Sequence, residues 1–418
     1  MAPESPTAET NASSAPVASD ELPPATFFDA GAAAWRQLAP KLSVEGAAPE
    51  ETRRAREGLQ ASLLSSLQMQ HVMVLAGSGT SLGPVTRGPS MGNLWQSCVC
   101  GKGSVPTAEA ASVIQGVGYD ATADGENIEG LLSRCEAFLQ VNASPNVKKF
   151  VESARKSILE ECSGFLGPDS DSQLAAHRTF LHKLSRRRTR DSRLKVFTTN
   201  YDVCFESAAS KQGLIPVDGF SFTQPRTFDP RFFSYDIVRR PLNGEDSGAP
   251  LEGVFLLFKL HGSVDWVRSE NADVVIGKPS PESACLIYPA RGKYQQSYVQ
   301  PHLELISQYL SSLRNPNTCV IVTGFGFQDD HLSEPILSAV KTNPHLRLVV
   351  VDPWAHELVK STEERHKYWR RLFDLAGKGS DVWLISATFG VFADLIPDLK
   401  ALTPAERISR DIKQIAAH

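Results

Sequence analysis

A chain of 418 residues with 41% hydrophobic and 22% charged side chains can bury one large core or two smaller ones, so a globular protein that holds a site without metal or disulfide staples is expected. A formal net charge of -4 excludes a protein whose whole surface seeks nucleic acid and leaves only local basic patches for that purpose. The seven cysteines, odd in number and scattered mostly through apolar segments, build neither a disulfide framework nor paired C-x-x-C zinc knuckles, which reads as reduced thiols and no metal.

Residues 1–27 are rich in Ala, Pro, Ser and Thr and carry Glu4, Glu9, Asp20 and Glu21, while no Lys or Arg precedes Arg36. With no apolar central segment they read as a disordered acidic tail, not as a signal or transit peptide. Residues 28–400 read as the folded domain and 401–418 as a C-terminal helix. No apolar run reaches the length of a membrane span, and a soluble cytoplasmic protein is expected.

From Pro49, "PEETRRAREGLQASLLSSLQMQ" puts Leu59, Leu63, Leu64 and Leu67 on one helical face, and the run His71 to Leu75 behind it reads as a buried strand. A polar, Gly-containing stretch from Gly101 to Asn127 precedes "NIEGLLSRCEAFLQ", "NVKKFVESARKSILEEC" and "SQLAAHRTFLHKLS", each an amphipathic helix by spacing. A smaller, mostly helical inserted module is expected at about 101–190, with a second insertion at about 205–250. The basic stretch "SRRRTRDSR" then carries Arg186, Arg187, Arg188, Arg190 and Arg193. Its ordinary reading is a solvated loop; its functional reading is a contact to nucleic acid or a partner protein.

"LKVFTT" from Leu194, "VFLLFKL" from Val254, "CVIVTGF" from Cys319 and "LRLVVVD" from Leu346 are near-continuous apolar runs between helical segments. A parallel sheet covered on both faces demands that pattern. The expected fold class is α/β, a doubly wound, Rossmann-like parallel sheet with helices on both faces.

In such a sheet ligands bind beyond the carboxyl ends of the strands, where strand order switches. The polar endings to weigh are therefore "AGSGTS" at 76–81, "TTNYD" at 198–202, "LHGS" at 260–263, "GFGFQDD" at 324–330 and Asp352. Singly, each has a plain structural reading. "AGSGTSLG" is neither a Walker loop nor G-x-G-x-x-G, and its small residues suit a pyrophosphate or a simple strand-to-helix turn equally well. Asn200 and Asp202 equally suit helix caps. A lone His261 before Gly262 equally suits a buried histidine bonded to backbone.

Taken together, "VLAGSGTSLG", "GPSMGNLW", "FTTNYD", "FKLHGSVDW" and "VIVTGFGFQDDHL" resemble, in this order and spacing, the bacterial sirtuin-like (SIR2-like) domains, relatives of the NAD-dependent sirtuin deacylases. "NIEGLLS" and "LIYPARGKY" resemble segments of the defence-associated branch, and the resemblance covers roughly residues 60–400. It implies that Gly77, Ser78, Gly79 and Ser81 form the turn that holds the NAD+ pyrophosphate, with Ser78 where a second alanine is usual; Ala76, Thr80 and Thr199 complete the cofactor-binding set. Asn200 would hold the nicotinamide ribose and a water, Asp202 would contact the carboxamide, and His261 would be the catalytic histidine. Gly324, Gly326 and Asp329 would lie on the adenosine side.

The implied chemistry is physically coherent. Nicotinamide is a cationic leaving group on an anomeric carbon, so its departure needs fixed ribose geometry, nearby electron density and a placed nucleophile. An uncharged amide offers both donor and acceptor for that task, and an imidazole, with an unperturbed pKa of about 6.5, suits proton acceptance near neutral pH. Sirtuin deacylases carry a four-cysteine zinc module beside the peptide cleft, and this chain has no matching quartet. Water is thus the expected nucleophile, and NAD+ the substrate, with nicotinamide and ADP-ribose as products. The resemblance further implies a toxic effector of antiphage defence, a homo-oligomer, controlled by a HerA-type hexameric ATPase/helicase rather than an Argonaute-type partner. A sensor that binds NAD or ADP-ribose without turnover, with nucleic-acid contacts, has little need for both Asn200 and His261, while a dehydrogenase would favour G-x-G-x-x-G.

Overall fold

The computed structural model describes residues 22–39, 49–167, 170–188, 191–240, 249–287 and 300–399. The expected helix at 401–418, most of the expected tail, Arg190 and most of "LIYPARGKY" lie outside the described residues.

In chain order the strands are β1 (Thr26–Asp29), β2 (Ala34–Gln37), β3 (His71–Ala76), β4 (Lys195–Thr198), β5 (Ile215–Val217), β6 (Val238–Arg239), β7 (Ala249–Pro250), β8 (Val254–Lys259), β9 (Gly262–Arg268), β10 (Val274–Ile276), β11 (Ala284–Leu286), β12 (Thr318–Thr323), β13 (Leu346–Asp352) and β14 (Val382–Ser386). Nine of them form one sheet in the order β2-β1-β14-β13-β12-β3-β4-β8-β5. Every neighbouring pair from β14 across to β5 is parallel. After the edge pair β1–β2 the chain enters the parallel sheet at β3, moves outward to β4 and β5 with β8 filling the place between them, and later returns to the other side of β3 with β12, β13 and β14. Winding therefore reverses between β3 and β12, which fixes the switch point of a doubly wound sheet there.

The apolar runs fold this way because each strand feeds two cores by simple alternation. Val72, Val74 and Ala76 of β3 enter the cluster that holds Leu59, Leu63 and Phe180, whereas Met73 and Leu75 enter the opposite cluster with Tyr309, Trp369 and Phe258. Each such fully buried aliphatic side chain contributes about 1.5–3 kcal/mol. The helix Glu50–Leu67 buries Ala55, Leu59, Leu63 and Leu67; Leu64, expected on that face, is only half-buried.

Four details depart from the sequence pattern. Thr26 and Phe27, expected in the tail, belong to β1 and pair with Ser386 and Ile385 of β14, because Phe27 and Phe28 bury on opposite faces of the sheet edge. The stretch Gly101–Asn127 contains the helix Ala108–Gly116, whose first turn Thr107 caps by accepting the Ala110 N–H. The helix Ala175–Ser185, inside the expected insertion 101–190, packs on the main sheet through Phe180, Leu181 and Leu184. The separate helical core instead gathers Trp95, Leu131, Phe150 and Ile158 with Val264 of β9 and Leu286 of β11. Likewise the expected insertion 205–250 contains β5, a strand of the main sheet.

The basic stretch is mostly turned inward. Arg187 is buried, and its guanidinium donates to Leu67 O, Met69 O, Gln70 O and Ser192 O at 2.9, 2.6, 3.1 and 3.0 Å. Arg186 pairs with Glu252, Arg188 with Asp191 and Arg193 with Asp236. Arg187 thus caps the carbonyls that precede β3, at the end of the sheet opposite the polar rim. Among the described residues no helix is long and apolar enough to cross a membrane.

Candidate active site

Two glycine-bearing turns lock together at the switch point. Gly77 N–H donates to Thr323 O at 3.0 Å and Gly79 N–H to Gly324 O at 2.9 Å. A Cβ on Gly77 would lie 2.5 Å from Gly324 O, one on Gly79 would lie 2.6 Å from Gly324 Cα, and one on Gly324, at φ +60°, would lie 2.4 Å from Thr80 N. Backbone meets backbone at all three positions, so no side chain fits. The glycines expected to crowd a dinucleotide therefore crowd each other, and the Gly77 and Gly79 amides are spent on that contact. Ser78 is left exposed at the tip of the turn.

Asn200 joins the turn from β4. Its Nδ2 donates to Thr80 Oγ1 at 3.2 Å and to Ser81 Oγ at 3.0 Å. The Thr80 hydroxyl proton is committed to Gly77 O at 2.8 Å and that of Ser81 to Asp202 Oδ2 at 2.8 Å. Both hydroxyls can thus only accept from Asn200, which fixes the amide with its nitrogen toward the turn. Among the described residues Asn200 Oδ1, which is buried, has no hydrogen-bond partner. Asp202 also accepts the N–H of Cys204, the first residue of the helix Cys204–Gln212, at 3.0 Å, and so ties the start of that helix to the network. Ala76 and Thr199 act as scaffold: Thr199 N–H donates to Ala76 O at 3.1 Å and prolongs the β3–β4 ladder.

His261 occupies the corner between β8 and β9. The corner needs Gly262, whose φ is +84° and whose Cβ would lie 2.0 Å from Cys285 O. Strand register pairs Thr198 with Lys259, so Asn200 and His261 each stand two residues beyond a matched pair. His261 is 3% exposed, and its ring lies near-parallel to that of His331 at 5.8 Å. His331 lies in the first turn of the helix Asp330–Thr342 and has no signal of its own in the sequence. Asp329 is the N-cap residue of that helix, and its carbonyl accepts the Leu332 and Ser333 N–H groups.

The second half of the rim is built differently. Phe325 and Phe327 are core aromatics 5.3 Å apart, with Phe327 held at φ +56°. A Cβ on Gly326 would meet, among the described residues, only Gln328 Cγ at 3.8 Å, an ordinary contact. Asp352 closes β13 by accepting the Trp354 N–H at 2.8 Å, and burial pushes its carboxyl above the usual range against that bond. A groove of about 840 Å³ runs along the outside of the helix Asp330–Thr342, between Leu313, Pro335, Ala339 and Tyr368. It touches the residues above through His331 and Asp330, not through the glycine turns.

Sequence reasoning passed over Lys259, whose signal was a lone cation ending an apolar strand. Its side chain is 2% exposed and reaches Glu206 Oε1 at 3.0 Å. Among the described residues no group of three or more His, Cys, Asp or Glu is placed to hold a metal ion, and all seven cysteines are free.

Residues 194–373 match the model of the SIR2-like domain. The matched span contains Asn200, Asp202, His261, Gly324, Gly326 and Asp329, while the turn at 76–81 precedes it. A structure described as the basis for the mechanism and regulation of Sir2 enzymes is 10% identical over 82% of this chain and 97% of its own, with a TM-score of 0.35. A Sir2 variant described with a deacetylated p53 peptide and 3'-O-acetyl ADP-ribose is 12% identical over 76% of this chain and 98% of its own, with a TM-score of 0.29. A search among curated proteins returns no match.

Proposed function

We propose that this chain is an NAD+ glycohydrolase that cleaves NAD+ to nicotinamide and ADP-ribose. One observation carries the reading: the buried Asn200 amide has its nitrogen committed to Thr80 and Ser81, and its oxygen has no partner among the described residues. A buried unpaired carbonyl costs about 1–3 kcal/mol. A ribose hydroxyl or a water would recover that cost, and an amide so fixed orients whatever it accepts from.

In the proposed reaction the bond from the anomeric carbon to the nicotinamide nitrogen breaks and its electron pair leaves with nicotinamide. Positive charge on the ribose is met by a water oxygen, which forms the new bond at the same carbon. The water's proton passes to the His261 imidazole as general base. Ser81 and Asp202 hold Asn200 in register, and Asp202 offers its carboxylate to the carboxamide. The interlocked turns with Ser78 at their tip border the pyrophosphate, and Gly324, Gly326 and Asp329 the adenosine. The SIR2-like match over residues 194–373 supports NAD+ as the substrate.

The proposed setting is antiphage defence, with NAD+ depletion as the toxic output and control by a HerA-type ATPase partner and self-assembly, by family analogy alone. The inward partners of Arg186, Arg187, Arg188 and Arg193 weaken the nucleic-acid reading of that stretch. The test is nicotinamide release from NAD+ by the purified chain, alone and with the candidate partner, with and without an acetyl-lysine peptide. Release without peptide, lost in Asn200→Ala and His261→Ala, is expected. Release that needs the peptide would make the protein a deacylase, and no release from any assembly would reject the proposal.

A further inference from the structure

Lys259 ends β8 after five apolar residues, and a buried ammonium is retained only where its protons all find acceptors. Its Nζ reaches Glu206 Oε1 at 3.0 Å and donates to Tyr201 O at 3.2 Å and to Asp202 O. Three acceptors thus meet three N–H donors. Burial works against the charge, but the carboxylates of Glu206, Asp265 and Asp202 outweigh it and hold the proton above the usual lysine range. Burial also pushes Glu206 up to about 7, so the two carbonyls, whose acceptance does not titrate, are the constant part of the site.

Those carbonyls belong to the two residues that directly follow Asn200. Tyr201 O also accepts the Val264 N–H at 3.0 Å and the Ser263 hydroxyl at 3.3 Å, both on the strand that leaves His261. The Tyr201 hydroxyl in turn donates to Ile287 O at 2.6 Å, and Ile287 N–H donates to His261 O at 2.9 Å. The loop that carries Asn200 and the corner that carries His261 are therefore stitched together, and Lys259 lies under the stitch.

We propose that Lys259 is a positioning residue that fixes the Asn200–Asp202 loop against the His261 corner by donating to the Tyr201 and Asp202 carbonyls. Its catalytic consequence rests on the NAD+ cleavage proposed above. A lysine that merely pairs with Glu206 for stability would predict equal effects of removing either partner. The positioning role predicts unequal ones, since Glu206→Gln leaves both carbonyl contacts in place.

The experiment compares Lys259→Met, Lys259→Gln and Glu206→Gln in the full chain by two readouts. In steady-state NAD+ cleavage, Lys259→Met should lower kcat about tenfold or more with KM within about threefold, and Glu206→Gln should stay within about threefold of the parent in kcat. In hydrogen exchange, amides 199–204 should exchange about tenfold faster in Lys259→Met while those of β12 and β13 keep their rates. Equal losses of kcat in Lys259→Met and Glu206→Gln, or unchanged exchange at 199–204, would overturn the proposal. Where Lys259→Met does not fold, Lys259→Gln carries the same comparison. If the parent protein releases no nicotinamide, the glycohydrolase reading fails while the exchange comparison still decides the role of Lys259.

Discussion

The sheet ends in two different materials on either side of its switch point. On the β3–β4–β8 side the rim is made of side chains: Thr80, Ser81, Asn200, Asp202 and Lys259 form one directed set of hydrogen bonds, next to His261. On the β12–β13 side it is made of backbone and aromatic bulk: Gly324 pressed into the opposite turn, with Phe325 and Phe327 packed beneath. The helical core leans on the first half alone, through Val264 and Leu286, with Tyr201 and Val203 packed against it. The difference teaches a division of labour. On the proposed reading, the first half holds the reacting bond and the second shapes the space beside it.

If the division is real, substitutions in the two halves should separate activity from stability. The largest effect belongs to the first half: Asn200→Ala or His261→Ala should lower kcat for nicotinamide release by about 10³-fold or more. Thermal melting should stay within about 3 °C of the parent, and a joint loss of folding would break the comparison. Next comes the second half, where Gly324→Ala combines a left-handed φ with a backbone clash at 2.4 Å and should cost about 3 kcal/mol or more of stability in denaturant unfolding.

Acid should attack the first half as well. Burial pushes the pKa of His177 and of His302 down to about 4, from an ordinary value of about 6.5. Between those values the unfolded chain binds protons that the folded chain refuses, so stability falls as pH drops from about 6.5 to about 4, by up to about 3 kcal/mol per histidine. His302 bonds Leu260 O at 3.2 Å, beside His261, and His177 packs edge-on to Phe205 and Phe389. His177→Leu should flatten the acid limb of a melting-temperature profile; an unchanged limb would place the acid-sensitive groups elsewhere. The smallest effect is expected at Gly326→Ala, with room for a methyl and an ordinary φ, which should change stability by no more than about 1 kcal/mol in either direction.

Much of the sheet was legible because central parallel strands are apolar on both faces, and an unbroken run such as "VFLLFKL" admits few other placements. The edges were not: β1, β2 and β5 are short and partly exposed, and only a tertiary partner makes them strands. Among the expected site residues, Asn200, Asp202, Thr80 and Ser81 converge on one network, although spacing could not say which hydroxyl holds which amide. Gly77 and Gly79 were visible as glycines, but what they face, Gly324, follows a strand distant in sequence. Gly326 shows no steric need to be glycine. Lys259 was hidden because a single cation at the end of an apolar run looks like a strand terminus emerging into solvent, and only the tertiary placement of the Tyr201 and Asp202 carbonyls reverses that reading.

The interlock of Gly77 and Gly79 with Gly324 has a consequence for how this architecture can change over generations. On the proposed reading, loss of Asn200 or His261 by one substitution should silence cleavage and leave the sheet standing, so catalytic silence would be a single step away. The glycine contact has no such neutral exit, because either turn must be rebuilt before the other can accept a side chain. Descendants that abandon turnover should therefore keep the glycines long after the amide and the imidazole have drifted, and the persistence of that turn in a silent copy would record its folding history rather than its chemistry.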